Sequence, residues 1–510
     1  MRKLFNAIKN YKERFKEAKI NTFLFLILIT ECLFVIVCLC ILMARIRSTV
    51  LDSLYAQSTG IESPALYGIY KVYRGDPVYV APSEDPASMV YNYLFYYTYG
   101  ILARILIQNT ENFPVFTHLL TFIATCGYLT ILLCYFWAKS KELKCDSLKH
   151  HLIRTIIVLM PLLVFFGPFF GWWYLTARSD IMAIGLEMVG LIIFLRYYDK
   201  LNILTTIIFT LFFWSAWSMK QATIFVWIGT LLILTAQRKW KQLLISIIFF
   251  LLFSSVIFLK FGWAYFQHTV LIPLMIPTSW QTSILVGKEA LVTGFYIYVP
   301  ALVFTISYLT NRIRKNNTIN SLLLILFITA MGDILTSKRW ACSRNLYFSS
   351  FLIAALFTIE CIISIWKEKN MRNLQLAIKV MFFSFFFGLL FSSLYLIFPN
   401  KFGRIQLLTS LERQESKKIR EAIYSSRKPV FVGPAYYALP WNTNQYPSEV
   451  VNDAEYCILR GKGIDFALEK KIRERYFAEA FVFDGEWARI FELLGYRRVL
   501  QTKDLIHFVR

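Results

Sequence analysis

Eleven apolar runs, each followed by a polar or basic stretch, constrain this 510-residue chain more than anything else in it. A run of roughly 17 to 25 apolar residues closes its own backbone hydrogen bonds as a helix and matches the hydrocarbon thickness of a bilayer. The runs predict helices at about 21–44, 114–137, 155–175, 181–195, 203–218, 222–236, 243–260, 291–310, 319–335, 345–366 and 376–398. Lysines and arginines gather in the short loops to which alternate helices return, at 139–154, 196–200, 238–241, 312–315 and 367–372. Such loops stay in the cytoplasm. With the basic segment 1–20 also inside, the segments 45–113, 261–290 and 399–510 fall on the far side of the membrane. The net charge of +23 is thereby accounted for by topology, and a nucleic-acid partner is not needed to explain it. The first apolar run is too long for a cleaved signal peptide and no small-x-small site follows it, so it reads as an anchor. Of nine cysteines, six lie in or near apolar runs; Cys342 and Cys457 face the far side, where unpaired thiols are favoured over a disulfide.

Two segments need separate treatment. The stretch 92–108 (NYLFYYTYGILARILIQ) is apolar but short and interrupted by Gly100 and Arg104. A crossing there would reverse every later orientation, so it reads as an interfacial or re-entrant helix within the loop 45–113. From 399 onward charge becomes frequent, and short strands at 428–433, 480–484, 497–500 and 506–509 alternate with helical patterns at 411–425, 465–476 and 486–494. The expected architecture is an all-α polytopic membrane domain over 21–398 followed by a small α/β domain over 399–510, outside the cytoplasm.

The residues able to carry chemistry crowd the far-side segments. The first loop holds Glu62, Asp76, Glu84 and Asp85 among a dense set of tyrosines that includes Tyr67 and Tyr91. Loop acids ordinarily face water, but the length and aromatic content here point to a structured pocket. Asp180 follows in A-R-S-D at the start of the fourth helix, where it is also a good helix-capping type. Lys220 lies between the fifth and sixth helices, and S-K-R-W-A-C-S-R-N-L-Y-F supplies Lys338, Arg339, Arg344 and Asn345 before the tenth. A lysine at a membrane boundary binds a lipid phosphate or snorkels to the headgroups. His268 lies in the loop 261–290.

In their order, these motifs resemble the GT-C fold membrane glycosyltransferases, in the bacterial branch of protein mannosyltransferases and lipid A aminoarabinose transferases. The match runs through Ile61-Glu62, Tyr67 to Tyr73, Gly75-Asp76-Pro77-Val78-Tyr79, Tyr91 to Tyr96, Arg178-x-Asp180, Lys220-Gln221 and Asn345-Leu346-Tyr347-Phe348. The chain departs from the pattern at Ile61, where that branch carries the first of two acids, and at Ser349 and Ser350, where an acid often follows.

The resemblance implies a multi-pass protein of the bacterial inner membrane that moves a sugar from a polyprenyl-phosphate donor to a periplasmic glycan, lipid or protein. Glu62, Asp180, Glu84 and Asp85 are then the candidate catalytic carboxylates, and Lys220, Lys338, Arg339 and Arg344 the candidate phosphate ligands. Tyr67, Tyr91, Asn345 and His268 are candidates for contacts to substrate. No cofactor is assigned. A divalent cation could bridge acid and phosphate, although the sequence holds no dedicated metal motif. Three rival readings stay open: a membrane transporter or lipid-linked sugar flippase, a glycan polymerase or ligase using a lipid-diphosphate donor, and a non-catalytic relative, which Ile61 in the place of the first acid keeps open. Transporters place ionisable groups at the bilayer midplane, whereas most here lie at helix ends.

Overall fold

The computed structural model describes residues 2–51, 62–81, 91–108, 112–141, 148–171, 173–310, 313, 316–339, 343–368, 371–397, 410–426, 429–432, 446–447, 467–482, 485–501 and 505–510. Among these, seven helical spans are long and apolar enough to cross a membrane: Thr22–Ala44, Phe113–Ser140, Trp240–Met275, Trp280–Leu309, Asn317–Thr336, Arg344–Lys367 and Asn373–Leu394. The helices that carry them are α1 (Arg2–Leu51), α4 (Phe113–Ser140), α9 (Trp240–Phe266), α11 (Trp280–Leu309), α12 (Asn317–Thr336), α13 (Phe348–Glu368) and α14 (Met371–Ile397). Four more helices complete the eleven expected runs: α5 (Leu148–Phe165), α6 (Ser179–Arg196), α7 (Ile203–Met219) and α8 (Ile224–Ala236). The outward faces are apolar, with Ile248, Leu252, Leu259, Leu285 and Leu302 exposed. In water such a surface would be untenable; against acyl chains it is the expected one. This is a multi-pass membrane protein, and α13 lies at its centre, buried along nearly its whole length.

Three predicted boundaries shift. The first helix extends back through the basic segment to Arg2. The third ends at Phe165, because Gly167-Pro168 cannot continue it, and a short 3-10 turn, Trp173–Leu175, follows. The segment 261–290 is largely helical rather than a loop: α9 continues to Phe266 across a break at Gly262, whose φ of +63° suits glycine, and α11 begins at Trp280. Ser279 caps α11, its hydroxyl accepting from the amides of Gln281 at 3.1 Å and Thr282 at 3.3 Å. Lys288 and Glu289, which lower the local hydropathy, are carried on that helix. Between the two helices lie a π turn, Gln267–Leu271, and the single turn α10 (Ile272–Met275).

The first loop is built from α2 (Glu62–Arg74) and α3 (Tyr93–Leu106). α3 buries Phe95, Tyr99 and Ala103 while Ile101, Ile105 and Leu106 are exposed, the two-faced pattern expected of a helix lying along an interface. Gly100 allows it to press on α2: a Cβ there would sit 2.4 Å from Val72 Cβ and 2.8 Å from the Ile69 carbonyl oxygen.

The C-terminal elements include the expected strands and helices and one strand that was not expected, β2: α15 (Ser410–Ser425), β1 (Val430–Val432), β2 (Tyr446–Pro447), α16 (Ala467–Arg473), β3 (Glu479–Val482), α17 (Glu486–Leu493), β4 (Arg497–Gln501) and β5 (Ile506–Val509). They form a five-stranded mixed sheet of order β2-β1-β3-β5-β4. Because strand side chains alternate, Val430 and Val432 pack with Ile419 and Ile423 of α15, while Phe431 faces Trp487 and Phe491 of α17. Ile272 and Met275 of α10 enter that second cluster, seating the sheet on the turn that follows the Gly262 break.

Candidate active site

Three breaks in helical structure meet at one buried point. The chain enters α6 through Arg178 in extended conformation, which leaves Asp180 in the first helical turn, where a carboxylate suits the helix dipole. α7 stops at Met219, and Lys220 is extended between it and the 3-10 turn Gln221–Thr223. A further 3-10 turn, Arg344–Tyr347, leads into α13 and carries Asn345. Asp180 is fully buried, and its Oδ1 accepts from the Lys220 ammonium and, at 2.7 Å, from Asn345 Nδ2. Lys220 also donates to the Asn345 carbonyl at 3.3 Å. The second oxygen, Oδ2, accepts no hydrogen bond and faces Arg178 Nε at 3.2 Å. Charges buried this deeply persist only when paired, and removing one partner of such a pair costs about 3–5 kcal/mol.

A second carboxylate reaches the same entry loop. Glu62, at the start of α2, is fully buried, and its Oε1 accepts from His118 Nε2 at 2.7 Å and from the Ala177 amide at 2.6 Å. Glu62 and Asp180 therefore both act on Arg178, Asp180 by direct pairing and Glu62 through its nearby charge. Tyr91 stands against the same guanidinium; burial pushes its phenol up from the usual range, and Arg178 partly offsets that. The indole of Trp173 is near two guanidiniums, with Arg178 at 5.7 Å and Arg344 at 5.3 Å from its centre, both within cation–π range. Arg344 also meets Glu289 Oε1 at 3.4 Å and the Pro168 carbonyl at 3.5 Å.

Of the expected site residues, Glu62, Tyr91, Asp180, Lys220, Arg344 and Asn345 thus gather around one entry loop. Lys338 and Arg339 occupy a neighbouring corner: the Lys338 ammonium lies 3.2 Å from the centre of the Trp280 ring, and Arg339 bridges by its backbone to Thr278. His268 is buried and donates from Nε2 to the Val80 carbonyl at 2.6 Å, pinning the first loop to the π turn. Tyr67 is half-buried, with the Lys71 ammonium 5.6 Å from its ring. Glu84, Asp85, Ile61, Cys342 and Cys457 lie outside the described residues. The structure adds Arg178, Trp173, His118 and Glu289. Arg178 was visible in the A-R-S-D motif beside the Asp, and His118 as an isolated imidazole in an apolar helix; nothing local marked Trp173 or Glu289. Among the described residues no group of three or more His, Cys, Asp or Glu is placed to hold a metal ion.

The outer face of α11 carries an open apolar groove of about 440 Å³, lined by Leu291, Phe295, Tyr298, Leu302 and Phe391 among others. Its inner wall joins the polar interior, since Tyr298 donates to the Tyr347 carbonyl at 3.2 Å and lies 3.2 Å from Ser350 Oγ.

Among the described residues, eleven apolar helices, a pair of shorter helices in the first loop and an appended sheet make up a GT-C-like membrane fold. The crystal structure of ArnT from Cupriavidus metallidurans bound to undecaprenyl phosphate shares it, with a TM-score of 0.54 and 9% sequence identity over 93% of this chain and 97% of that one. No protein-family model matches the sequence, and no curated protein matches it. At that identity the likeness resides in the backbone, and it speaks for the fold.

Proposed function

We propose that this protein is an inverting membrane glycosyltransferase that moves a sugar from a polyprenyl-phosphate donor to an acceptor glycan, lipid or protein on the far side of a bacterial inner membrane. The observation that carries this reading is the buried cluster of Asp180, Lys220, Asn345 and Arg178 at the mouth of α6. The donor's phosphate would bind where Arg344 and Lys220 offer positive charge, with its isoprenoid tail along the groove on α11. Lys338 and Arg339 are assigned to the approach of the same headgroup. A structural relative captured with undecaprenyl phosphate adds support for a lipid of that class.

The chemistry suits these groups. The acceptor's oxygen forms a bond to the anomeric carbon as the bond from that carbon to the phosphate oxygen breaks. The acceptor's proton passes to a carboxylate, and the polyprenyl phosphate departs with the bonding electrons. Cations beside the departing phosphate stabilise its developing charge and remove the need for a separate acid. Asp180, with one oxygen free of hydrogen bonds, is assigned as the proton acceptor. Glu62, bound on one oxygen by His118 and Ala177, is assigned to hold the entry loop. Glu84 and Asp85 complete the set of first-loop acids, and Tyr67, Tyr91, Asn345 and His268 shape the space around the substrates.

The test is transfer by purified protein in liposomes offered a panel of polyprenyl-phosphate sugars, comparing Glu62→Gln, Glu84→Gln, Asp85→Asn and Asp180→Asn. Loss of transfer in Asp180→Asn and one first-loop variant is expected. Full activity in all four removes the catalytic assignment. Transfer from lipid-diphosphate donors alone favours a polymerase or ligase, and flux across sealed vesicles without transfer favours a transporter.

A further inference from the structure

Asn92 stands at the N-cap of α3 in extended conformation, with φ −70° and ψ 162°, and is buried. Asparagine is a preferred type at that position because its side-chain oxygen ordinarily accepts from an amide of the first helical turn. Here the side chain makes no such bond. It is directed instead to two other helices: Nδ2 donates to the Trp217 carbonyl at 2.6 Å, and Oδ1 accepts from the Tyr265 hydroxyl at 2.9 Å. The two bonds fix the orientation of the amide, since only its nitrogen can serve a carbonyl and its oxygen is then left to take the phenol.

Trp217 lies in the last turn of α7, which stops at Met219. The last carbonyls of a helix have no amide ahead of them in the helix to accept from. That of Ala216 is met by the Lys220 amide at 2.9 Å, and that of Trp217 by Asn92. Asn92 therefore caps the C-terminus of α7 from 125 positions away in sequence. The cap sits at the break where Lys220 leaves α7 in extended conformation and pairs with Asp180. The chain beside Asn92 is itself held, because the Tyr91 carbonyl accepts from the Tyr79 hydroxyl at 2.7 Å. We propose that Asn92 is a positioning residue that fixes where α7 breaks and so holds Lys220 on Asp180, with Tyr265 acting behind it by orienting the amide. Its consequence for transfer rests on the glycosyltransferase reading, whereas the cap on α7 is a property of the protein without substrate.

Lysine acetylation by an N-hydroxysuccinimide ester, read by mass spectrometry on purified full-length protein in nanodiscs, tests the cap without reference to activity. Lys220 is buried and paired, so it should react slowly in the unaltered protein. Asn92→Ala should raise the rate at Lys220 by about two- to tenfold, the equilibrium worth of one hydrogen bond. Lys139, paired with Glu360, should keep its rate. Tyr265→Phe should raise the Lys220 rate less, and should add nothing on top of Asn92→Ala. An unchanged rate at Lys220, or an equal rise at Lys139, overturns the proposal. If Asn92→Ala does not accumulate, the same comparison of Lys220 with Lys139 in Tyr265→Phe decides it. The second arm is turnover: Asn92→Ala should raise the donor KM and leave the acceptor KM as it was, because Lys220 is assigned to the donor phosphate. An unchanged donor KM overturns the role in transfer. Absence of transfer by the unaltered protein with every donor would defeat the glycosyltransferase reading instead, and the lysine labelling would still decide the cap.

Discussion

Asp180 is bound on one oxygen by Lys220 and Asn345 and only flanked on the other by Arg178, so one buried carboxylate organises the cluster. Asp180→Asn keeps the shape and removes the basicity; we expect kcat to fall by about 10²–10⁴-fold while the folded protein is retained, as measured by turnover and by size-exclusion profile. Glu62→Gln has a different signature. Losing the charge facing His118 and the Ala177 amide weakens the hold on the entry loop, so the donor KM should rise together with a fall in kcat. At this scale the sequence was partly readable. Asp180 and Lys220 could be singled out, since a polar residue at an apolar boundary is visible in one dimension. Their contact spans forty positions and depends on where α7 breaks. Trp173 was invisible because an aromatic in an aromatic-rich stretch has no distinguishing pattern, and it is the two guanidiniums near its ring that mark it.

Among the elements, α2 and α3 hold the first loop against the membrane helices, and Gly100 sets their spacing. Gly100→Ala forces the methyl into Val72 and the Ile69 carbonyl; we expect a destabilisation of about 1–3 kcal/mol, read as a lower unfolding midpoint. Helix existence followed directly from hydropathy, and four of the five C-terminal strands from short β-rich runs, because both periods are local; the two-residue strand Tyr446–Pro447 is too short to carry one. Boundaries were less legible. Lys288 and Glu289 made the start of α11 look like a loop, since averaging along the chain does not separate one charged face from the apolar face beside it. The break at Gly262 and the π turn after it arise from tertiary fit: Tyr265 reaches Asn92 at 2.9 Å, His268 reaches Val80, and Gln221 reaches the Thr269 carbonyl at 3.3 Å. None of those partners is near in sequence.

The whole molecule joins an apolar helical body to a small mixed sheet through Ile272 and Met275, the two side chains that α10 inserts into the sheet's aromatic cluster. Ile272→Asp buries a carboxylate in that cluster, so residues 410–510 should become readily cleaved under limited proteolysis while helix content by circular dichroism stays the same. The fold was legible at this scale because membrane insertion leaves few solutions for eleven apolar runs. The seating of the sheet was not, because no pattern in Ile272-Pro-Leu-Met names its partner. The account as a whole depends on one chemical event at Asp180. The most direct test is a single-turnover assay with saturating protein in liposomes and a radiolabelled polyprenyl-phosphate sugar, comparing the unaltered protein with Asp180→Asn. The account predicts label leaving the lipid for the acceptor in the first and staying lipid-bound in the second. Equal rates in both would contradict it.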